Sequence, residues 1–211
     1  MSILSILFPN RCPYCDKLID MNETECSVCR GKFPDVPHIR KLAQGNVCVS
    51  PFVYDGTVRD AIRSLKFRNC VFNAKSLSGQ MCRILQKLYG DENIDIVTAV
   101  PMSRSSKRER GYNQAELLAK ETAKLLGKPY KELLKKVKKN LVQHELNGED
   151  RKRNVIGVYA VTDKRLITDK RILLVDDICT TGSTLSECCK VLLECSPADI
   201  ICTCAAETSA D

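Results

Sequence analysis

The chain has 211 residues, 44% hydrophobic and 28% charged, with 13 cysteines, no tryptophan and a formal net charge of +7. That size and apolar content exclude general disorder and fit one medium domain plus a small appendage. The charge is local: residues 101–153 hold 15 Lys+Arg against 7 Asp+Glu, and the rest of the chain 18 against 19. A polyanionic ligand is therefore expected at the middle third, beside ordinary solvated lysines on helix faces.

The apolar run from Ile3 to Phe8 is too short for an export signal and lacks a basic leader. No stretch approaches membrane-spanning length, so a reducing cytoplasm is expected, and the cysteines are expected to stay free. Cys12-Pro13-Tyr14-Cys15 and Cys26-Ser27-Val28-Cys29 form two C-x2-C pairs ten residues apart. Two such knuckles can close a tetrahedral structural zinc site on Cys12, Cys15, Cys26 and Cys29. Disulfides are disfavoured by the compartment, and a redox pair by the absence of a surrounding βαβ unit. Metal would fold a segment too small for a core of its own. Residues 1–36 are read as this module, 37–50 as a linker with the first strand, and 51–211 as the main domain.

Pro34 and Pro37 close the module, and residues 34–46 read as linker. Val47 to Tyr54 reads as a strand, Thr57 to Phe67 and Lys75 to Tyr89 as helices, and Ile94 to Val100 as a buried strand stopped by Pro101. Asn113 to Leu126 is a helix, capped by Asn113 and ended by Gly127-Lys128-Pro129. Tyr130 to Lys139 reads as a short lysine-rich helix, and residues 140–154 lack periodicity. Val155 to Val161, Arg171 to Val175 and Asp199 to Ala205 are strands. Strands alternating with helices predict an α/β fold, a mostly parallel twisted sheet with helices on both faces. Cys188 and Cys189 fall on a helical core stripe and read as small buried hydrophobes.

Two segments carry chemistry. Ile172-Leu173-Leu174-Val175 runs into Asp176-Asp177, then Thr180, Thr181, Gly182, Ser183 and Thr184, and a helix begins at once. Thr184 with Glu187 three positions on predicts a capping box. Strand, small-residue loop and helix N-terminus aim backbone N–H groups at one spot, where a phosphate fits. The two carboxylates offer acceptors to sugar hydroxyls or to a hydrated divalent cation. The chain has neither a G-x-x-x-x-G-K nor a G-x-G-x-x-G loop. The second segment follows Pro101: Arg104, Lys107, Arg108 and Arg110 fall within seven residues at a strand's C-terminal end, where ligands of open α/β sheets bind. Arginine forks suit a pyrophosphate there.

The segment 172–184 resembles the phosphoribosyl-pyrophosphate motif of type I phosphoribosyltransferases. Residues 108–119, taken with it, are similar to the ComF family of competence-associated, phosphoribosyltransferase-like proteins. Leu65-Lys66-Phe67, Gln143-His144-Glu145-Leu146, Arg151-Lys152-Arg153-Asn154-Val155, Phe8-Pro9 and both C-x2-C pairs fit the same pattern, so the resemblance covers nearly the whole chain. It departs at Asp16, where the family often has glycine, and at Cys179, a thiol beside the phosphate loop.

The resemblance implies that Asp176 and Asp177 hold the ribose hydroxyls and Thr180 to Thr184 the 5-phosphate. Arg104, Lys107, Arg108 and Arg110 would face the pyrophosphate, with Mg2+ as its counter-ion, and Lys66 would also bind the ligand. Catalysis, if present, is positioning and charge stabilisation, and no residue stands out as general acid or base; His38 and His144 are the only histidines. The acceptor is not legible. Competence-associated relatives imply handling of single-stranded DNA, and contact with DNA-uptake or recombination proteins. The basic residues Lys135, Lys136, Lys138, Lys139, Arg151, Lys152 and Arg153 could follow a DNA backbone, with Tyr112, Tyr130 and Tyr159 as the sparse stacking partners. The other readings are a transferase with a small-molecule acceptor and a regulator that binds the ligand without turnover.

Overall fold

The computed structural model describes residues 10–67, 71–90, 93–137 and 157–209. Its first element is a short helix, α1 (Ser27–Arg30), on the cysteine-bearing segment. There follow β1 (His38–Lys41), β2 (Val47–Ser50), β3 (Phe52–Val53), α2 (Gly56–Phe67), α3 (Asn73–Tyr89) and β4 (Ile96–Ala99). Next come α4 (Arg104–Arg110), α5 (Gln114–Leu126), β5 (Leu134–Lys136) and β6 (Tyr159–Val161), then β7 (Arg171–Cys179), α6 (Ser183–Leu193) and β8 (Asp199–Glu207).

The main sheet runs β1-β2-β8-β7-β4, with β3 also on β8. Only β1 and β2 pair antiparallel in it; β2, β3, β7 and β4 join it in parallel. Beyond β4 the chain returns beside it at Tyr130, in a parallel bridge with Val97. So the connection through α5 moves outward past β4, and the connection through α6 moves back from β7 to β8. Right-handed crossovers in opposite directions place α5 and α6 on opposite faces. The path from β2 to β4 runs in the outward sense, so α3 shares the face of α5, where Ser78 Oγ donates to Leu118 O at 3.1 Å. On the other face Cys189 of α6 meets Cys202 of β8, with 3.3 Å between sulfurs. The α/β class and the two-sided helix cover predicted from the pattern are therefore observed.

β7 and β8 are nearly continuous apolar runs because both of their faces are covered; Leu173, Leu174, Val175 and Cys202 are fully buried. Cys188 and Cys189 are fully buried too, and act as the small hydrophobes expected. At the N-terminal edge of the sheet Arg171 clasps Asp95. Its backbone N–H and its guanidinium donate to the Asp95 carboxylate at 2.8 to 3.2 Å, and these bonds hold Asp95 down at about 2.

The cysteine segment is welded to this body by aromatic rings. Tyr14 and Phe33 lie 4.9 Å apart, Phe33 and Phe52 5.1 Å, both edge to face, and Ser76 Oγ donates to the Tyr14 hydroxyl at 3.0 Å. Asp16 at the first knuckle takes the left-handed conformation, with φ 60°, which an aspartate tolerates.

Several elements differ from the pattern reading. Residues 38–41, read as linker, are a sheet strand whose inward positions are His38 and Arg40 rather than apolar residues. The strand predicted over 47–54 is split at Pro51 into β2 and β3. The helix predicted from Tyr130 to Lys139 is extended instead over its described residues, 130–137. Val97 N–H donates to Pro129 O and Lys131 N–H to Val97 O at 3.0 Å each, and β5 then pairs antiparallel with β6. The basic loop after Pro101 contains α4, capped by Ser103 and ended by Gly111 at φ 84°. Phe8-Pro9, the segment 140–154 with its His144, and Val155 lie outside the described residues.

Candidate functional site

The site begins with a mismatch in strand length. Ala99 pairs with Val175, Val100 N–H donates to Val175 O at 2.9 Å, and Pro101 then turns the chain away from β7. β7 continues through Cys179, still paired on its other side: Asp176 with Cys204, Ile178 with Ala206, Cys179 with Glu207. Asp176 and Asp177 therefore stand where one neighbour has left the sheet. This is also the point where the two crossovers diverge, the place in an open α/β sheet where a crevice must open.

The crevice is there. A cleft of about 570 Å³ is lined by Asp176, Asp177, Thr180 and Thr184 from the β7 side, and by Arg110, Asn113 and Gln114 from the β4 side. Tyr54, Lys136 and Tyr159 complete its walls. Both carboxylates are half-buried and shaped by their own backbone: Asp177 N–H donates to Asp176 Oδ1 at 2.9 Å, and Ile178 N–H to Asp177 Oδ1 at 2.8 Å.

Past Cys179 the chain enters the small-residue loop. Gly182, not Thr184, is the N-cap of α6, at φ 73° and with no side-chain cap bond. The predicted capping box does not form, because Glu187 is taken elsewhere: its carboxylate accepts from Gly157 N–H at 2.6 Å and ties α6 to the segment leading into β6. Thr181 and Ser183 hydroxyls bond each other at 2.7 Å, and Ser183 N–H makes only a long contact to Thr181 Oγ1, at 3.4 Å. The uncapped, positive end of an eleven-residue helix thus opens toward the cleft.

The loop rests on the β1–β2 hairpin. A Cβ on Gly182 would meet Leu42 Cδ2 at 2.8 Å, Ser186 Oγ accepts from Ala43 N–H at 3.2 Å, and Arg40 donates to Glu207 and to Thr208 O at 3.3 and 2.6 Å. Thr208 N–H returns to Cys179 O at 3.0 Å. Sequence reading missed these supports, because a strand with His38 and Arg40 facing inward gives no apolar signal. The Cys179 thiol lies under the loop and is held below the usual thiol range by the neighbouring Cys204 and Cys48 thiols, the Arg40 charge and the Gly182 amide, against its own burial.

The cations divide. Arg110 lines the cleft of the carboxylates. Arg104 and Lys107 line an adjoining cleft of about 550 Å³, with Tyr130, Glu132, Leu134 and Lys135. Lys107 is engaged there by Glu116 at 2.7 Å, which also takes Lys120 at 2.6 Å. These bonds raise Lys107 and lower Glu116, although burial pulls Glu116 the other way. Arg108 faces a shallow groove with Arg104, Lys107 and Gly111. In this structure α4 presents the four cations to three neighbouring surfaces. Pro101, Met102, Asn113 and Lys136 line both the carboxylate cleft and the adjoining one and so connect them.

Lys136, read from sequence as a DNA contact, is part of this wall; its ammonium lies 5.9 Å from the Tyr159 ring, and burial lowers it. Lys135 is exposed beside it. Lys66 falls in the last turn of α2, and its side chain lies outside what the structure describes, as do Lys138, Lys139, Arg151, Lys152 and Arg153. In the N-terminal segment the sulfurs of Cys12, Cys15, Cys26 and Cys29 all lie within 4.8 Å of one another and could hold a metal ion. Cys29 N–H donates to Cys26 Sγ at 3.4 Å and draws that thiol down to about 7.

With this geometry in view, the comparisons become specific. The phosphoribosyl transferase domain model matches residues 112–211, which hold α5, both carboxylates and the small-residue loop. Competence protein F of Haemophilus influenzae is 35% identical over 100 residues, 46% of this chain and 44% of that protein. The chain is thus similar to ComF-type proteins, and its C-terminal half to the phosphoribosyl transferase domain. Competence protein ComFC of Bacillus subtilis is 24% identical over 87% of this chain and 71% of its own length. DNA utilization protein YhgH of Escherichia coli K12 is 26% identical over 86% and 77%. The chain thus spans under half of the Haemophilus protein and about three quarters of the other two. Among the described residues no helix is long and apolar enough to cross a membrane.

The loop and its support make a prediction. Gly182→Ala should cost about 1–2 kcal/mol from the left-handed backbone, with the overlap on Leu42 added. In urea unfolding, Gly182→Ala combined with Leu42→Ala should then cost less than the sum of the two single changes. Strict additivity would show that the hairpin does not press on the loop.

Proposed function

We propose that the cleft between β4 and β7 binds phosphoribosyl pyrophosphate, and that this ComF-like protein uses the site in handling single-stranded DNA during DNA uptake. One observation carries the reading. Acceptor-only carboxylates and the uncapped start of α6 share a cleft with Arg110 and Lys136, so acid, anion-binding loop and cation meet in one space. Asp176 and Asp177 suit a ribose diol, whose hydroxyls need acceptors. Thr180 to Thr184 suit the 5-phosphate, which needs donors. The same carboxylates could hold a hydrated magnesium ion, which would neutralise a departing pyrophosphate. The names of relatives that refer to competence and DNA utilization support the DNA part, as do the exposed cations of α4 and Lys135 beside the cleft.

The adjoining cleft favours a second reading, a phosphoribosyltransferase with a small-molecule acceptor. It opens into the first past Met102 and Lys136, has Tyr130 and Leu134 for a flat ring, and is large enough for a heterocycle. Transfer would break the bond from ribose C1 to the pyrophosphate oxygen, form one from C1 to the acceptor, and release the acceptor's proton. A group that stabilises the leaving charge would contribute about 2–4 kcal/mol.

The N-terminal cysteines are read as a structural zinc site. Tetrahedral zinc–thiolate bonds of about 2.3 Å set sulfurs roughly 3.8 Å apart. Cys15 and Cys26 are 3.6 Å apart as they stand.

Three measurements test these proposals. Calorimetric titration with phosphoribosyl pyrophosphate and magnesium should show saturable heat, weakened about 100-fold or more by Asp176→Asn/Asp177→Asn, since each lost charge-assisted bond is worth about 1.5–3 kcal/mol. A wild type without heat removes both readings. Affinity for single-stranded DNA should fall about tenfold or more between roughly 50 and 200 mM salt if three or more phosphates are neutralised; a flat response argues against the DNA role. Metal analysis of protein purified under reducing conditions should find zinc equimolar with the chain, lost on Cys15→Ser/Cys26→Ser, and a metal-free wild type would remove the zinc site.

A further inference from the structure

Arg110-Gly111-Tyr112-Asn113-Gln114 connects α4 to α5, and most of it has visible structural work. Gly111 ends α4 in the left-handed conformation. The Tyr112 hydroxyl donates to Leu65 O at the end of α2. Asn113 accepts from Ala115 N–H at 3.2 Å as the N-cap of α5, and its Nδ2 donates to Val100 O at 2.9 Å, which ties α5 to the end of β4.

Gln114 differs from all of these. It is 1% exposed and lines the cleft, and its Nε2 is buried without a hydrogen-bond partner among the described residues. A buried donor left without an acceptor destabilises the fold, and an apolar side chain of similar size would fill the same space without that cost. It is the first residue of a thirteen-residue helix, so the positive end of that helix lies at the same place. Arg110 lines the same wall, while the two carboxylates stand opposite on β7. Arg104, Lys107 and Arg108, which were expected to meet a diphosphate, line other surfaces.

We propose that Gln114 is a ligand-contacting residue: its Nε2 donates to an anionic oxygen of the bound diphosphate, in an oxyanion subsite formed with the N-terminus of α5. This rests on the reading of the cleft as a phosphoribosyl-pyrophosphate site. The unsatisfied amide is a donor held ready, and binding supplies its acceptor. Gln114 is then a place where fold stability and ligand affinity pull in opposite directions.

The opposition makes the test selective. Gln114→Leu and Gln114→Glu are compared with wild type in the full chain, by thermal unfolding and by titration with phosphoribosyl pyrophosphate plus magnesium, inorganic pyrophosphate, and ribose 5-phosphate. The leucine variant should melt at the wild-type temperature or about 2–4 °C higher. Its affinity for both diphosphate ligands should fall about tenfold or more, with ribose 5-phosphate unchanged. The glutamate variant should lose more, because a fixed negative charge then faces the diphosphate. A lower melting temperature for the leucine variant would show a structural bond to Gln114 and overturn the proposal. So would unchanged diphosphate affinity, or an equal loss for ribose 5-phosphate. A wild type that binds none of the three ligands removes the parent reading and this one with it, whereas normal binding by both variants removes this one alone.

Discussion

The site depends on one strand outlasting its neighbour. β4 gives up its pairing at Pro101, level with Val175, while β7 continues to Cys179 against β8. Two carboxylates are thereby held on a strand still paired to β8 yet open on the side that β4 has left. Were β4 longer, its backbone and side chains would fill the space in front of Asp176 and Asp177. Were β7 shorter, the pair would sit on a loop without fixed direction. The opposed crossovers through α5 and α6 complete the arrangement, because they aim two helix starts at one gap.

Around that gap the fold is cross-braced by polar contacts at positions where packing alone would leave freedom. Asn113 fixes the start of α5 to the end of β4. Glu187 fixes α6 to the β5–β6 hairpin, whose Lys136 and Tyr159 wall the cleft. Leu42 and Arg40 hold the small-residue loop from below, and the loop's left-handed glycine is what allows them so near. Each brace joins two separate elements at or beneath the cleft. Small displacements outside the cleft should therefore be felt within it.

Much of this was legible in the residues, for identifiable reasons. An apolar run ending in Asp176-Asp177 and a loop of small hydroxyl residues has few other structural uses. Asn113 announces its cap, and paired C-x2-C spacing announces a thiolate cluster. The failures are equally physical. β1 turns His38 and Arg40 inward toward Glu207, so hydrophobic alternation is absent. Leu133, Leu134 and Val137 sit at spacings that suit a helix as well as a strand, and the choice is made by backbone bonds to Val97, far off in sequence. The segment after Pro101 reads as a loop, yet Ser103 caps it and Arg104–Arg110 form a helix. Thr184 and Glu187 spell a capping box, and Gly157 takes the glutamate first.

Hydrogen exchange with and without phosphoribosyl pyrophosphate and magnesium examines the central claim, that two strand ends form one site. Amides of residues 180–185 and of residues 113–117 should gain protection together, at one ligand concentration. Protection at only one of these segments, or at neither while some other surface of the chain responds, would contradict a shared crevice.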